Sequence, residues 1–132
     1  QWDESVNGGF SDGTPWLQVN TNYQTINVNA ALKDTDSIFY HYQKLIKLRK
    51  EYKIISTGEY IPILENHPQV FGYKRSLNNQ ELIVLNNFYG QDVLLNLDVI
   101  NYQVLINNYN EIDLTNLCLK PYQSVALYKK EV

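Results

Sequence analysis

The sequence predicts an α+β fold in which a helical N-terminal part is followed by an antiparallel β-sandwich. Apolar residues recur at helical spacing between residues 36 and 52. From residue 57 onward the pattern changes to short apolar runs separated by turn residues. The chain has 132 residues, and a complete (β/α)8 barrel needs about 250, so the chain is too short to form one alone.

Residues 1–25 predict a structured loop. The loop contains three turn-forming segments, Asn7-Gly8-Gly9, Ser11-Asp12-Gly13 and Thr14-Pro15. Trp2, Trp16 and Phe10 also lie in it, and a long aromatic loop of this kind usually packs onto a folded body. We expect a short helix, roughly from Asn27 to Leu32, to follow the loop.

Residues 36–52 give the strongest helix signal. Asp36 is the predicted N-cap, because its carboxylate can accept backbone N–H groups of the first turn. The apolar arc of the helix consists of Ile38, Phe39, Tyr42, Leu45, Ile46, Leu48 and Tyr52. Arg49 falls inside this arc. Two interpretations stay open for Arg49: an aliphatic stem that carries its charge to solvent, or a buried pair with a carboxylate on a neighbouring element.

Six strands are predicted in the second half of the chain, with a boundary near Ser56. They cover residues 60–64, 70–75, 81–88, 92–97, 102–106 and 122–128. Close spacing and turn residues between the runs are typical of an antiparallel sandwich. Residues 98–116 are rich in Asn, and the pattern predicts no register there.

Composition and charge exclude several classes of function. A net charge of −3 lacks the basic excess of a protein that binds nucleic acid, and no apolar run approaches the roughly 20 residues that span a membrane. A single cysteine, Cys118, favours a reducing compartment, so we expect a cytoplasmic protein. No signal-peptide pattern opens the sequence. It begins with Gln1 and contains no Met, so we expect a piece of a longer protein.

No catalytic or metal-binding constellation is predicted from residue types alone. His41 and His67 have no neighbouring group that would orient them toward Cys118, so Cys118 is better explained as a structural cysteine. The pair Asp34 and Asp36 lacks the glycine and distal glutamate of a calcium loop. We expect neither a metal ion nor a cofactor.

Three acids lie near the tryptophans, Asp3, Glu4 and Asp12. Carboxylates beside aromatic rings are common in sugar pockets, but a glycosidase needs two carboxylates in unlike environments. One loop does not build such a pair alone. The aromatic side chains of the loop more often anchor it to a core than stack on a sugar.

An ordered series of motifs nevertheless resembles the α-amylase superfamily (glycoside hydrolase family 13), in particular its oligo-1,6-glucosidase and trehalose-6-phosphate hydrolase branch. The loop motifs are Gln1-Trp2-Asp3-x-Ser5, Gly9-Phe10, Gly13-Thr14-Pro15-Trp16, Asn20-x-Asn22-Tyr23 and Ile26-Asn27-Val28. The helix 36–50 resembles the last barrel helix of that branch. Its C-terminal sandwich, domain C, is resembled by Gly58-x-Tyr60, Pro68-Gln69-Val70-Phe71-x-Tyr73, Leu85-Asn86-Asn87-Phe88 and Leu119-x-Pro121-Tyr122.

The resemblance implies a division at residue 56. Residues 1–56 would be the end of a (β/α)8 catalytic barrel, with the loop after strand 8 and the final helix, and residues 57–132 would be the sandwich. Gln1, Trp2 and Asp3 would lie near the substrate entrance. The catalytic Asp, Glu and Asp of the family lie on earlier barrel strands, so the chain alone is expected to be inactive.

The resemblance also implies the partners. The missing barrel of the parent chain would cover the apolar face of Ile38, Tyr42, Leu45 and Ile46. Short α-glucosides would bind through the parent, an exo-acting α-glucosidase that retains anomeric configuration. Without the barrel the exposed face favours a homodimer. The alternative function is a carbohydrate-binding β-sandwich module, with Trp2, Trp16, Tyr89 or Tyr109 as stacking platforms.

Overall fold

A computed structural model describes residues 1–130. The chain divides into two compact units, one from Gln1 to Ile46 and one that begins at Lys47. In the first unit, 3-10 turns form at Val6–Gly9 and Thr21–Gln24 and are followed by helix α1, Val28–Lys33. The short helix after the loop is thereby confirmed.

Helix α2 spans Ile38–Glu51, and the boundary between the two units falls within it. The prediction of Asp36 as its N-cap is wrong, because the helix starts two residues later. The backbone N–H of Asp36 is held instead by the Asp34 carboxylate, at 3.0 Å. Ser37 occupies the cap position, and its hydroxyl donates to the carbonyl of Ala31, 2.7 Å away, which ties the start of α2 to the end of α1.

The second unit contains helix α3 and seven strands in two sheets. Helix α3 is Ile54–Thr57. The strands are β1 Glu59–Ile63, β2 Val70–Leu77, β3 Gln80–Asn87, β4 Val93–Leu94, β5 Gln103–Asn107, β6 Cys118–Leu119 and β7 Ser124–Lys130. Five of them form an antiparallel sheet in the order β1-β2-β3-β7-β5, and β4 pairs with β6. The predicted α+β fold with an antiparallel sandwich is confirmed.

Two apolar clusters cover opposite faces of the five-stranded sheet, because successive strand residues point to opposite sides. The first cluster lies between the two sheets, and its buried members are Val70, Ile83, Leu85, Val93, Leu95, Val99, Leu117, Leu119, Val125 and Leu127. The second is closed by the end of α2 and by α3, and its buried members are Leu48, Ile54, Leu82, Leu105 and Ile106. Residues 48–54 are therefore packed against the sheet.

The predicted strands differ from the structure at three places in particular. Between residues 92 and 97 only Val93 and Leu94 form a strand, and Cys118–Leu119 forms a short strand that was not predicted as a separate element. Strand β7 begins at Ser124 because Tyr122 adopts a left-handed backbone conformation, with φ of 55°, which extended strands do not permit.

No helix among residues 1–130 combines the length and the apolar character that a membrane crossing requires.

Candidate functional site

The predicted entrance residues Gln1, Trp2 and Asp3 lie beside the N-terminus of helix α1. The carbonyl of Gln1 accepts the N–H of Val28 at 3.0 Å, and the carbonyl of Trp2 accepts the N–H of Asn29 at 2.9 Å. These N–H groups belong to the first helical turn, which has no acceptors of its own. The start of the chain is thus fixed in place by capping the helix.

Asn27 completes this cap. Its side-chain oxygen accepts the N–H of Ala30 at 2.7 Å, and its amide nitrogen donates to the carbonyl of Tyr23 at 2.8 Å. Asn27 is buried, so both bonds are shielded from water. It therefore joins α1 to the 3-10 turn that precedes it.

The side chain of Gln1 is directed into the fold of its own unit. Its Nε2 atom donates to Oδ1 of Asn22 at 3.1 Å and to the carbonyl of Ile26. Gln1 is half-buried. Its amide nitrogen therefore links the start of the chain to residues 22–26.

Asp3 organises the loop through its carboxylate. Oδ1 of Asp3 accepts the backbone N–H of Ser5 at 2.9 Å and also the Ser5 hydroxyl. These hydrogen bonds hold the pKa of Asp3 below its ordinary value. A general acid of a glycosidase needs a raised pKa, so the direction of this shift disfavours Asp3 in that role.

Three consecutive left-handed residues bring the chain back toward Asp3. Asn7, Gly8 and Gly9 have φ of 58°, 65° and 75°. A Cβ atom on Gly9 would lie 2.9 Å from Oδ1 of Asp3, closer than real Cβ contacts. Gly9 is therefore required both by its backbone conformation and by the nearby carboxylate.

Trp2 and Phe10 present aromatic surface at this loop. Their rings meet edge to face with centroids 6.3 Å apart, and more than half of each side chain is exposed. Close by lies a shallow cavity of about 410 Å³, lined by Asp3, Ser5, Val6, Gly9, Phe10, Ser11 and Asp12. Carboxylates and hydroxyls next to an aromatic ring can bind a sugar.

His67 and Cys118 have structural surroundings. Nδ1 of His67 accepts the backbone N–H groups of Gln69 and Val70, at 3.2 and 3.0 Å. Cys118 pairs with Leu94 in the two-stranded sheet. Among residues 1–130, no three His, Cys, Asp or Glu side chains are grouped closely enough to hold a metal ion.

The candidate stacking residues are separated along the chain. Trp16 is almost fully exposed, whereas the hydroxyl of Tyr109 donates to the carbonyl of Pro121 at 2.8 Å. Tyr89 lines a larger cavity together with Tyr60, Phe71 and Phe88. Tyr60, Phe71 and Phe88 were not predicted as a group from the sequence. The alternation of Phe71 and Tyr73 on β2 was the available signal, since it places both rings on one face.

Two family profiles match the sequence in succession. Residues 1–58 match the alpha amylase catalytic domain, and residues 70–126 match the alpha-amylase SusG C-terminal domain. One chain thus contains segments that match two different domains of α-amylase proteins.

Curated relatives match nearly the whole chain. The oligo-1,6-glucosidase of Halalkalibacterium halodurans is 51% identical over 99% of the chain, and the trehalose-6-phosphate hydrolase of Bacillus subtilis is 45% identical over 96% of it. The matched parts are 25% and 24% of these relatives. The chain therefore spans about a quarter of the length of the curated relatives it matches.

Solved structures agree with the sequence matches. The trehalose-6-phosphate hydrolase of Bacillus licheniformis aligns with a TM-score of 0.89 and 42% identity, covering 99% of this chain and 25% of that one. An isomaltulose synthase from Erwinia rhapontici aligns with a TM-score of 0.86 and 33% identity, covering 97% and 24%. The described fold is that of a quarter of each larger protein.

Proposed function

Since the chain belongs to the α-amylase superfamily, where it joins the end of the catalytic domain to the C-terminal domain, we propose that it is a structural part of an exo-acting α-glucosidase. The parent would hydrolyse short α-glucosides with retention of configuration, as an oligo-1,6-glucosidase or a trehalose-6-phosphate hydrolase. The names of the relatives support this substrate class.

Helix α2 carries the structural part of this proposal. Its C-terminal end is packed in the second unit, where Leu48 is buried and the ring of Tyr52 contacts that of Tyr128 at 4.9 Å. Its N-terminal part leaves Ile38, Tyr42 and Ile46 more than half exposed. These features are expected of a helix that connects two domains, because one end is packed and the other leaves an apolar face uncovered.

The occupant of the uncovered face would be the catalytic barrel of the same polypeptide. The family profile assigns residues 1–58 to the catalytic domain, and a barrel-covering helix buries its apolar stripe against the strands. The exposed side chains Ile38, Tyr42, Leu45 and Ile46 match the face predicted from the sequence. Arg49 is also exposed, so a carboxylate partner for it would have to come from the barrel.

The sandwich would then brace the last barrel helix. Leu48 and Ile54 anchor α2 and α3 to the five-stranded sheet, so displacement of the sheet would release the helix. We place the junction between the barrel end, residues 1–56, and the sandwich, residues 57–132. The catalytic carboxylates would be supplied by the barrel, and the chain alone would hydrolyse no glucoside. Its one free thiol, Cys118, supports a reducing location such as the cytoplasm.

Domain replacement tests the proposal. The C-terminal quarter of the Halalkalibacterium halodurans enzyme would be replaced by this chain, and hydrolysis of isomaltose and p-nitrophenyl α-glucoside measured. We expect a soluble, active chimera and an inactive isolated chain. Ile46→Asp should abolish assembly of the chimera, whereas Lys44→Asp, on the opposite side of α2, should preserve it.

Two results would contradict the proposal. Hydrolysis by the purified isolated chain would mean that it holds its own catalytic pair. Full activity of the Ile46→Asp chimera would mean that the apolar face of α2 is not covered by the barrel. Self-association of the isolated chain, measured by sedimentation, should weaken with Ile46→Asp if the same face forms the expected homodimer.

A further inference from the structure

A second cavity lies outside the N-terminal loop, on the second unit. It has a volume of about 600 Å³ and lies among the end of β1, the start of β2 and the residues after β3. We call it the β1–β2 groove. The lining residues that matter here are Tyr60, Glu65, His67, Phe71, Phe88 and Tyr89. Its volume is in the range of small-molecule sites.

Four aromatic rings form the apolar part of the groove. Tyr60, Phe71, Phe88 and Tyr89 are each at least half exposed. The rings of Tyr60 and Phe71 are steadied by Tyr73, whose centroid is 5.4 and 6.0 Å from theirs. Open aromatic faces in a concave site favour a ligand with a flat, weakly polar face.

The polar part of the lining favours a neutral ligand with hydroxyl groups. Glu65, His67 and Gln69 line the groove, and its described lining contains neither Lys nor Arg. Nδ1 of His67 accepts two backbone N–H groups, so the neutral imidazole carries its proton on Nε2. The groove therefore lacks the cations that a phosphate needs.

Both walls are held before any ligand binds. On one wall, the N–H of His67 donates to the carbonyl of Leu64 at 2.8 Å, and Leu64 has a left-handed φ of 57°. On the other, the buried Asn87 accepts the N–H of Tyr89 at 3.0 Å. The N–H of Phe88 joins the walls by donating to the carbonyl of Gln69 at 3.1 Å. A site ordered in advance loses little entropy on binding.

We propose that the β1–β2 groove binds a neutral α-glucosyl oligosaccharide. A pyranose ring stacks its C–H face on Tyr89 or Phe88, and its hydroxyls bond to Glu65 and His67. The α-glucosyl identity of the ligand rests on the proposed function. The groove would hold the end of a substrate or product chain on the sandwich.

An NMR titration of the 132-residue chain tests the proposal, with maltotriose and isomaltose as probes. We expect saturable shifts of the backbone amides around the groove, with a millimolar dissociation constant. Phe88→Ala and Tyr89→Ala should each weaken binding about fivefold to tenfold. Trp16→Ala, which removes an exposed ring outside the groove lining, is the matched control and should bind normally.

The titration separates this proposal from the proposed function. Absence of saturable shifts, or loss of binding in Trp16→Ala but not in Tyr89→Ala, would overturn the groove assignment whatever the activity of the chimera. Cellobiose bound as tightly as maltotriose would overturn the α-glucosyl identity. Glucose 6-phosphate should bind at least tenfold more weakly than isomaltose, and the reverse order would overturn the neutral-ligand inference.

Discussion

Nζ of Lys74 on β2 lies 2.8 Å from Oε1 of Glu81 on β3. The hydroxyl of Tyr102 donates to the other oxygen of the same carboxylate. Each of the two ionic side chains is about 30% exposed. Glu81 is thus the acceptor that joins the β2–β3 hairpin to the segment before β5.

Glu81→Gln should lower the free energy of unfolding near neutral pH and make that free energy less sensitive to acidification. The Lys74 and Tyr102 hydrogen bonds hold the pKa of Glu81 below its ordinary value of 4.5. Stability from a lowered pKa is fully present above that value and is lost as the pH falls through the lower folded-state pKa. We expect a loss of about 1 kcal/mol in the free energy of unfolding near neutral pH, shrinking toward pH ~3. Urea unfolding at the neutral and at the acidic pH measures this loss.

Glu59→Gln is the control for this experiment. Glu59 is exposed on the neighbouring strand β1, and its substitution should change the free energy of unfolding by less than about 0.5 kcal/mol. Equal losses in the two variants would show that Glu81 gains nothing from its two donors.

Asn27→Ala should release the start of the chain. The substitution removes the acceptor of the Ala30 N–H and the donor to the carbonyl of Tyr23. We expect a loss of about 1–2 kcal/mol in the free energy of unfolding. Because α1 also binds the carbonyls of Gln1 and Trp2, hydrogen exchange should accelerate at Val28 and Asn29. Asn29→Ala changes an exposed residue of the same helix and should leave exchange nearly unchanged.

Gly9→Ala should disturb the entrance loop, whereas Gly13→Ala should not. At Gly9 the added Cβ meets the Asp3 carboxylate and the left-handed backbone disfavours Ala. At Gly13 the nearest atom is Oγ of Ser11, 3.4 Å away. We expect a cost of at least about 1 kcal/mol at Gly9 and a shift in Trp2 fluorescence. Identical emission spectra of the two variants would contradict the close approach.

Elements with local signals could be predicted from the sequence, and their exact ends could not. Asn27 lies at the predicted start of the short helix, and the bond by which it caps α1 is local, because the N–H that it accepts belongs to Ala30, three residues away. Asp36 failed as a cap because Asp34 bonds its N–H and Ser37 is tied to Ala31, and no periodicity reveals this competition. The pairing of β5 with β7 shifts between Val104 and Ile106, a bulge that depends on the partner strand.

The sequence predicts which residues form the entrance loop but not the contacts that they make. The motif Gln1-Trp2-Asp3 marked the loop, whereas the capping of α1 by the carbonyls of Gln1 and Trp2 depends on Val28 and Asn29, each 27 residues further along. The β1–β2 groove was harder to predict from the sequence than the entrance loop. Tyr60, Phe71 and Tyr89 lie on separate elements, and only strand pairing brings their rings together. The role of the Gln1-Trp2-Asp3 loop as an entrance and the role of the β1–β2 groove as a sugar site both stay predictions.

Asn87→Ala should destabilise the sandwich more than Asn86→Ala. The Asn87 amide donates to the carbonyls of Gln91 and Lys120 at 2.7 and 2.9 Å, and its oxygen accepts the N–H of Tyr89. Asn87 is 2% exposed, so its loss leaves buried groups without partners. We expect a loss of about 2–4 kcal/mol in the free energy of unfolding, measured in urea.

Asn86 provides a comparison one residue away. It is only half-buried, and its oxygen accepts the Ser124 hydroxyl at 2.6 Å. Its substitution should cost about 1 kcal/mol. A loss at Asn87 no greater than at Asn86 would mean that the loop after β3 does not depend on the buried amide.

Leu48→Ala should already destabilise the isolated chain, whereas Ile46→Ala should become destabilising only when a barrel is present. Leu48 is buried in the isolated chain, whereas 54% of Ile46 is exposed. In the isolated chain we therefore expect Leu48→Ala to cost about 2–4 kcal/mol and Ile46→Ala less than about 0.5 kcal/mol. In the chimera, where a barrel would cover Ile46, its substitution should cost about 2 kcal/mol or more. Thermal unfolding of both proteins measures the four values, and an Ile46 cost that stays small in the chimera would show that this side chain faces solvent in the whole enzyme.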